Sequence, residues 1–95
     1  MLEEKVEAVS ALLKSISHPL RLRILCHLQE GEMTVSDIQA AVKTTHANIS
    51  QHLSILRNQG IVASRKEANF IYNRIADPRI IMLIEQLRNI YCDND

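Results

Sequence analysis

Apolar residues open the chain at helical spacing. Leu2, Val6, Val9, Leu13 and Ile16 are separated by four, three, four and three positions, which gathers them on one face of a helix from Leu2 to Ile16. His18-Pro19 breaks that run, because the residue before proline avoids helical angles while proline fits the first position of a new helix. The second helix runs from Pro19 to about Gln29 and stops at Gly31. Thr34 followed three residues later by Asp37 is a helix start, the hydroxyl accepting an amide hydrogen bond and the carboxylate favouring the positive end. This third helix extends to about Val42. Only Lys43-Thr44-Thr45, with two candidate capping threonines, separates it from a fourth run in which Ile49, Leu53 and Leu56 share a face and which ends at Gly60. Two short helices joined by a three-residue turn make a helix-turn-helix pattern.

Beyond Gly60 the residue types change to β-formers. Ile61 to Arg65 and Phe70 to Ile75 flank a turn at Glu67-Ala68-Asn69, which predicts a two-stranded hairpin, or wing, with a basic rim. Asp77-Pro78 then supplies a cap and a first-turn proline for a last helix reaching about Cys92. The predicted fold is mainly α: about five helices plus a two-stranded wing in one domain, residues 1–95. In the last helix Ile80, Leu83, Ile84, Leu87, Ile90 and Tyr91 form one stripe, and Ile81 and Met82 lie off it. A helix apolar on more than one side is either wrapped by its own core or, as expected for so small a chain, shared with a second copy through the first and last helices.

The composition agrees with a compact helical chain, being 46% hydrophobic but only 3% aromatic, with two glycines and two prolines. Net charge is zero, so its distribution carries the information. Between positions 43 and 75, Lys43, Arg57, Arg65, Lys66 and Arg74 face Glu67 alone, a basic island over the helix-turn-helix and wing. No stretch has the length of a membrane span and the N-terminus lacks the basic-then-apolar character of a signal peptide, so a cytoplasmic location is expected.

With Ile49, Leu53 and Leu56 facing inward, the 100° step of a helix sets Ala47, Gln51, Ser54 and Asn58 roughly opposite, with Asn48 beside them. Asn and Gln bond bidentately to adenine and Ala touches a thymine methyl, so this face suits the major groove of double-stranded DNA. Thr45, His46, Ser50, Arg57, Arg65, Lys66 and Arg74 complete the expected DNA-binding set, chiefly as phosphate ligands that fix register. Gly-rich phosphate loops, metal-hydrolase motifs and Cys-x-x-Cys are missing from the sequence, which argues against an enzyme. A bundle that only binds protein would explain the last helix but not the turn, wing and basic island.

Ser17-His18-Pro19-Leu20-Arg21-Leu22-Arg23-Ile24-Leu25, then Asn48-Ile49-Ser50-Gln51-His52-Leu53-Ser54-Ile55-Leu56-Arg57 and Gly60-Ile61-Val62, resemble the ArsR/SmtB family of repressors, the likeness running from about Leu12 to Tyr91. The resemblance implies a winged-helix homodimer that binds an operator and releases it when an inducer acts. Cysteines that bind arsenite or cadmium in the family are missing from the matching Glu32 to Asp37, and the last helix has no histidine for the family's zinc or cobalt site. No metal or other cofactor is therefore expected. Cys26 and Cys92 instead resemble the paired thiols of the sulfide- and persulfide-responsive, SqrR/BigR/HlyU-like branch, where a disulfide or polysulfide bridge abolishes DNA binding.

The thiols themselves leave other readings open. Cys26 has Arg23 one turn earlier and Cys92 has Arg88, each favouring thiolate, while both lie near helix C-termini that oppose it. Inert core cysteines and a non-standard Cys/His metal site remain the alternatives. Of the histidines, His18 sits at a helix start, and His46 and His52 fall in the reading segment, where capping or DNA contact is expected.

Overall fold

The computed structural model describes residues 2–92. In chain order the elements are α1 (Leu2–Ile16), α2 (Pro19–Leu28), β1 (Met33–Thr34), α3 (Val35–Val42), α4 (His46–Asn58), β2 (Val62–Glu67), β3 (Phe70–Ile75) and α5 (Pro78–Tyr91). The side chain of Leu2, the first member of the apolar stripe above, lies outside the described residues, as do Met1 and residues 93–95 of the expected domain.

Local chemistry sets the boundaries. His18 caps α2, its Nδ1 accepting from the Leu20 amide at 3.1 Å, and Pro19 follows at the first helical position. Thr34 and Asp37 form a reciprocal capping box on α3, at 3.1 and 3.2 Å. The α3 helix ends at Lys43 in the left-handed region (φ 53°), a conformation that glycine adopts more easily and that starts the tight turn into α4.

The wing is larger than the sequence pattern indicates. β3 pairs with β2 from Val62–Ile75 to Glu67–Phe70, and its other edge pairs with Met33 and Thr34, so the sheet is three-stranded and antiparallel in the order β1-β3-β2. Two residues, the second of them the capping threonine itself, carry no alternation from which a strand could be read. Their pairing comes from the edge that β3 presents.

Ile49, Leu53 and Leu56 of α4 are fully buried beneath Ile24 and Leu25 of α2, Ile38 of α3, Ile61 and Ile80 and Ile84 of α5, one continuous apolar cluster. Each such side chain contributes about 1.5–3 kcal/mol relative to exposure. Val6, Val9 and Leu13 of α1 are 43–47% exposed, and in α5 only Ile80 and Ile84 are buried, leaving Ile90 and Tyr91 62% and 77% exposed. The radius of gyration is 13.8 Å, where a compact chain of this length is about 12 Å. The surplus length goes with helices whose apolar faces this one chain leaves open.

His52 turns away from the DNA-reading face, correcting the expectation for it, and lies against His18 with ring centroids 4.4 Å apart. Its Nδ1 is buried without a hydrogen-bond partner. Burial, then the charges of His18 and Arg21, hold its pKa below the ordinary 6.5. The folded state therefore disfavours protonated His52: this part of the stability is whole above about pH 6.5 and is lost as pH falls through the depressed value. Urea unfolding between pH 7.5 and 5 should show a falling midpoint for the wild type and a weaker fall for His52→Gln. Equal slopes for the two proteins would locate the acid sensitivity elsewhere.

Candidate nucleic-acid interface and thiol pocket

The outward face of α4 is prepared at its N-terminus. Thr45 caps the helix, its Oγ1 accepting from the Asn48 amide at 3.1 Å, and Thr44 Oγ1 accepts from the Asn48 side-chain Nδ2 at 3.1 Å. His46 Nδ1 lies 3.4 Å from Ser50 Oγ. Opposite the buried ridge, Ala47, Asn48, Gln51, Ser54 and Asn58 are exposed, as the helical step requires, and Ser50 is half-buried.

The basic residues are not equally placed. Along the hairpin, Ser64 and Lys66 share a face with Ile71 and Asn73, and Arg65 shares the other with Phe70, Tyr72 and Arg74. Arg65 Nε donates to Glu32 Oε2 at 2.9 Å, its Nη1 is 3.5 Å from Glu67, and its guanidinium lies 4.8 Å from the Tyr72 ring centroid. This pairing holds the Glu32 carboxyl below its usual range and raises Arg65. Arg57 is likewise engaged, Nη1 donating to Ser64 Oγ (3.1 Å) and Asn73 Oδ1 (3.3 Å), Nη2 to Ser54 Oγ (3.2 Å). Arg57, Arg65, Lys66 and Arg74 are all exposed, but among the described residues Lys66 and Arg74 make no side-chain hydrogen bond or ion pair. Between α4 and the hairpin runs an open groove lined by Thr34, His46, Ser50, Arg57, Phe70 and Ile71, among others.

The two cysteines, 66 positions apart in sequence, line one apolar pocket with Leu22, Ile84, Leu87, Arg88 and Tyr91. Cys26 is half-buried on α2 and Cys92, the C-cap of α5, is exposed; both are free thiols. Burial pushes the Cys26 thiol up, Arg88 opposes this, and Cys92 adds to it. The cation beside Cys26 is thus Arg88 from α5, and Arg23, expected there from the wheel of a single helix, is exposed. Arg88 also ties α5 to the end of α2, Nη1 donating to Gln29 Oε1 at 2.9 Å and lying 3.7 Å from Glu30. Among the described residues no three His, Cys, Asp or Glu side chains gather as a metal site would require.

Sequence reasoning missed Asn73, Glu32 and the reach of Arg88. Only Asn73 left a trace, as a polar residue at an inward position of an alternating strand, flanked two residues away by Ile71 and Ile75.

Residues 18–64 match the model of the bacterial regulatory protein, arsR family. A biofilm growth-associated repressor of Agrobacterium fabrum is 38% identical over 91 residues, spanning 96% of this chain and 78% of that protein. The chain belongs to the arsR family. Another relative is the transcriptional activator HlyU of Vibrio cholerae, 32% identical over 96% of this chain and 84% of its own length. In three dimensions this arsR-family chain is similar to the transcriptional repressor BigR of Xylella fastidiosa, with a TM-score of 0.91, 34% identity, and coverage of 96% and 93% of the two chains. Reduced HlyU of Vibrio cholerae aligns with a TM-score of 0.90, 32% identity and 96% coverage of each chain. These relatives are named for transcription regulation, and the fold shared with them is the winged helix-turn-helix.

The unequal setting of the thiols predicts an order of reaction. Under limiting iodoacetamide at pH 7.5, peptide mass spectrometry should find Cys92 alkylated before Cys26, because Cys92 is exposed whereas burial shields Cys26 and withholds its thiolate. Equal rates would mean that the pocket does not shelter Cys26.

Proposed function

We propose that this arsR-family chain is a cytoplasmic, homodimeric, operator-binding repressor whose hold on DNA is released when Cys26 and Cys92 become bridged. The observation that carries the proposal is the shared pocket of the two thiols, formed where α2 meets α5. Dimerisation is supported by the exposed apolar residues of α1 and of the second half of α5. DNA binding is supported by the exposed amide face of α4 and by the basic wing beside it.

The chemistry balances with a persulfide as oxidant. The thiolate of Cys92, the exposed thiol, attacks the terminal sulfur of R–S–SH, forming a Cys92 persulfide and releasing R–S⁻. The Cys26 thiolate then attacks the sulfur bonded to Cys92 Cβ, joining the two cysteines and expelling HS⁻. Both protein sulfurs are oxidised, the sulfane sulfur is reduced to sulfide, and the two thiol protons pass to the solvent or to the departing thiolates. A bridge would draw the ends of α2 and α5 together within the core that also seats α4. In a dimer this shifts the spacing of the two reading helices away from the roughly 34–36 Å of one DNA turn.

On an operator selected from random duplexes, Gln51→Ala should cost about 1–3 kcal/mol and blur preference at one base pair. Lys66→Ala should instead lower the slope of log affinity against log salt by about one. Loss of neither preference nor slope would remove α4 and the wing from the interface.

The switch has its own test. Reduced Cys26→Ser and Cys92→Ser should both bind the operator like the wild type, and a persulfide donor should dissociate the wild type alone, dithiothreitol restoring it. Release of Cys92→Ser by the donor would replace the bridge with modification of one thiol. Release by zinc or cadmium, with indifference to sulfur donors, would establish metal sensing in its place.

A further inference from the structure

Asn73 is the one polar residue in the buried core of the described chain. It lies in the middle strand of the sheet, and its side chain is bonded in three directions. Oδ1 accepts from Ser64 Oγ of β2 at 2.7 Å and from Arg57 Nη1 of α4 at 3.3 Å, and Nδ2 donates to the Met33 carbonyl of β1 at 3.2 Å. Ser64 Oγ also accepts from Arg57 at 3.1 Å, and Arg57 reaches back along its own helix to Ser54. One amide therefore joins all three strands to the helix that presents Asn48 and Gln51.

Such a network is not needed to hold the sheet, which has its own backbone ladder from Val62–Ile75 to Glu67–Phe70. Nor is it apolar packing, the cheaper way to fill a core position. What the network adds is a fixed relation between two surfaces. The guanidinium of Arg57 spans from α4 to Ser64 and Asn73, so the wing cannot pivot about its attachment to the core without breaking bonds to a charged donor.

We propose that Asn73 is a positioning residue that sets the wing at a fixed distance and angle from the reading helix, acting through Arg57 and Ser64. This rests on the DNA-binding reading above for its use, though not for its geometry. With the wing held, Lys66, on the hairpin face that carries Ser64 and Asn73, meets the backbone while α4 reads base edges, and both sets of contacts form in one complex. Without it the wing's charges still attract DNA of any sequence but no longer align with the phosphates beside the operator.

The experiment has two arms, one without DNA. In the protein alone, ¹⁵N order parameters of Ser64 to Ile71 should fall in Asn73→Ala while those of His46 to Asn58 stay high. Wing order equal to wild type overturns the proposal whatever the protein binds. In the second arm, affinity is measured for a duplex selected from a random pool by the wild type and for a shuffled duplex. Asn73→Ala should lose about tenfold on the selected duplex, the scale of a lost buried hydrogen-bond set, with a lower salt slope and little change on the shuffled one. An equal loss on both with the slope unchanged marks a merely smaller folded fraction and overturns the positioning role.

Ser64→Ala, which removes a smaller part of the network from an exposed strand position, should move the same readouts in the same direction by about threefold, and serves if Asn73→Ala does not fold. Asn73→Asp keeps the acceptor for Ser64 and Arg57 and should recover most of the selectivity. A wild type that selects no duplex refutes DNA reading, and the order-parameter arm still decides the role of Asn73.

Discussion

The candidate reading face of α4 is held in place by three side chains on the opposite side of the same helix. Ile49, Leu53 and Leu56 are closed completely into a core built from α2, α3 and α5, and this fixes the rotation of α4 about its own axis. A helix turned by one residue would swing through 100° and bury Ser50 and Ser54 in place of the ridge, at the cost of unpaired hydroxyls in an apolar site. The amide face is thus a consequence of what the core accepts. The same core receives Ile80 and Ile84, so the helix bearing Cys92 and the helix facing solvent are seated on common ground.

Much of this was legible because the deciding forces are local or periodic. The five helices, their caps at His18, Thr34, Thr45 and Asp77, and the inward line of α4 all follow from spacing and from groups within four residues of each other. The family likeness read from the motifs agrees with the family that the chain matches. Tertiary partners were illegible for the matching reason. β1 exists because β3 offers an edge, His52 faces His18 because α2 crosses there, and Arg88 displaces Arg23 beside Cys26 because α5 packs across α2. A helical wheel describes one cylinder and cannot report what lies against it.

The site residues divide along the same line. Exposure of Ala47, Gln51 and Asn58 follows from the period, whereas the engagement of Arg57 and Arg65 depends on Ser64, Asn73 and Glu32, far away in sequence. Counting cations located the basic island but not which of its members were already paired. The cysteines illustrate both cases: the family resemblance implied a paired-thiol switch, while their shared pocket needed the packing of two helices separated by the whole helix-turn-helix and wing.

The engaged state of Asn48 and Arg65 has a kinetic meaning. In the DNA-binding role proposed above, a base would compete with Thr44 for the Asn48 amide, and a phosphate would compete with Glu32 for the Arg65 guanidinium. On arbitrary sequence neither exchange brings a full return, because the base edges do not match and the phosphate competes with a carboxylate. With a net charge of zero besides, such a protein has little reason to linger on most of a chromosome. Internal bonds that look like stabilising detail in the free molecule would then act as a threshold. In that role they would shorten each unproductive stop during the search, and a correctly ordered stretch of base pairs would supply the new partners that open them together.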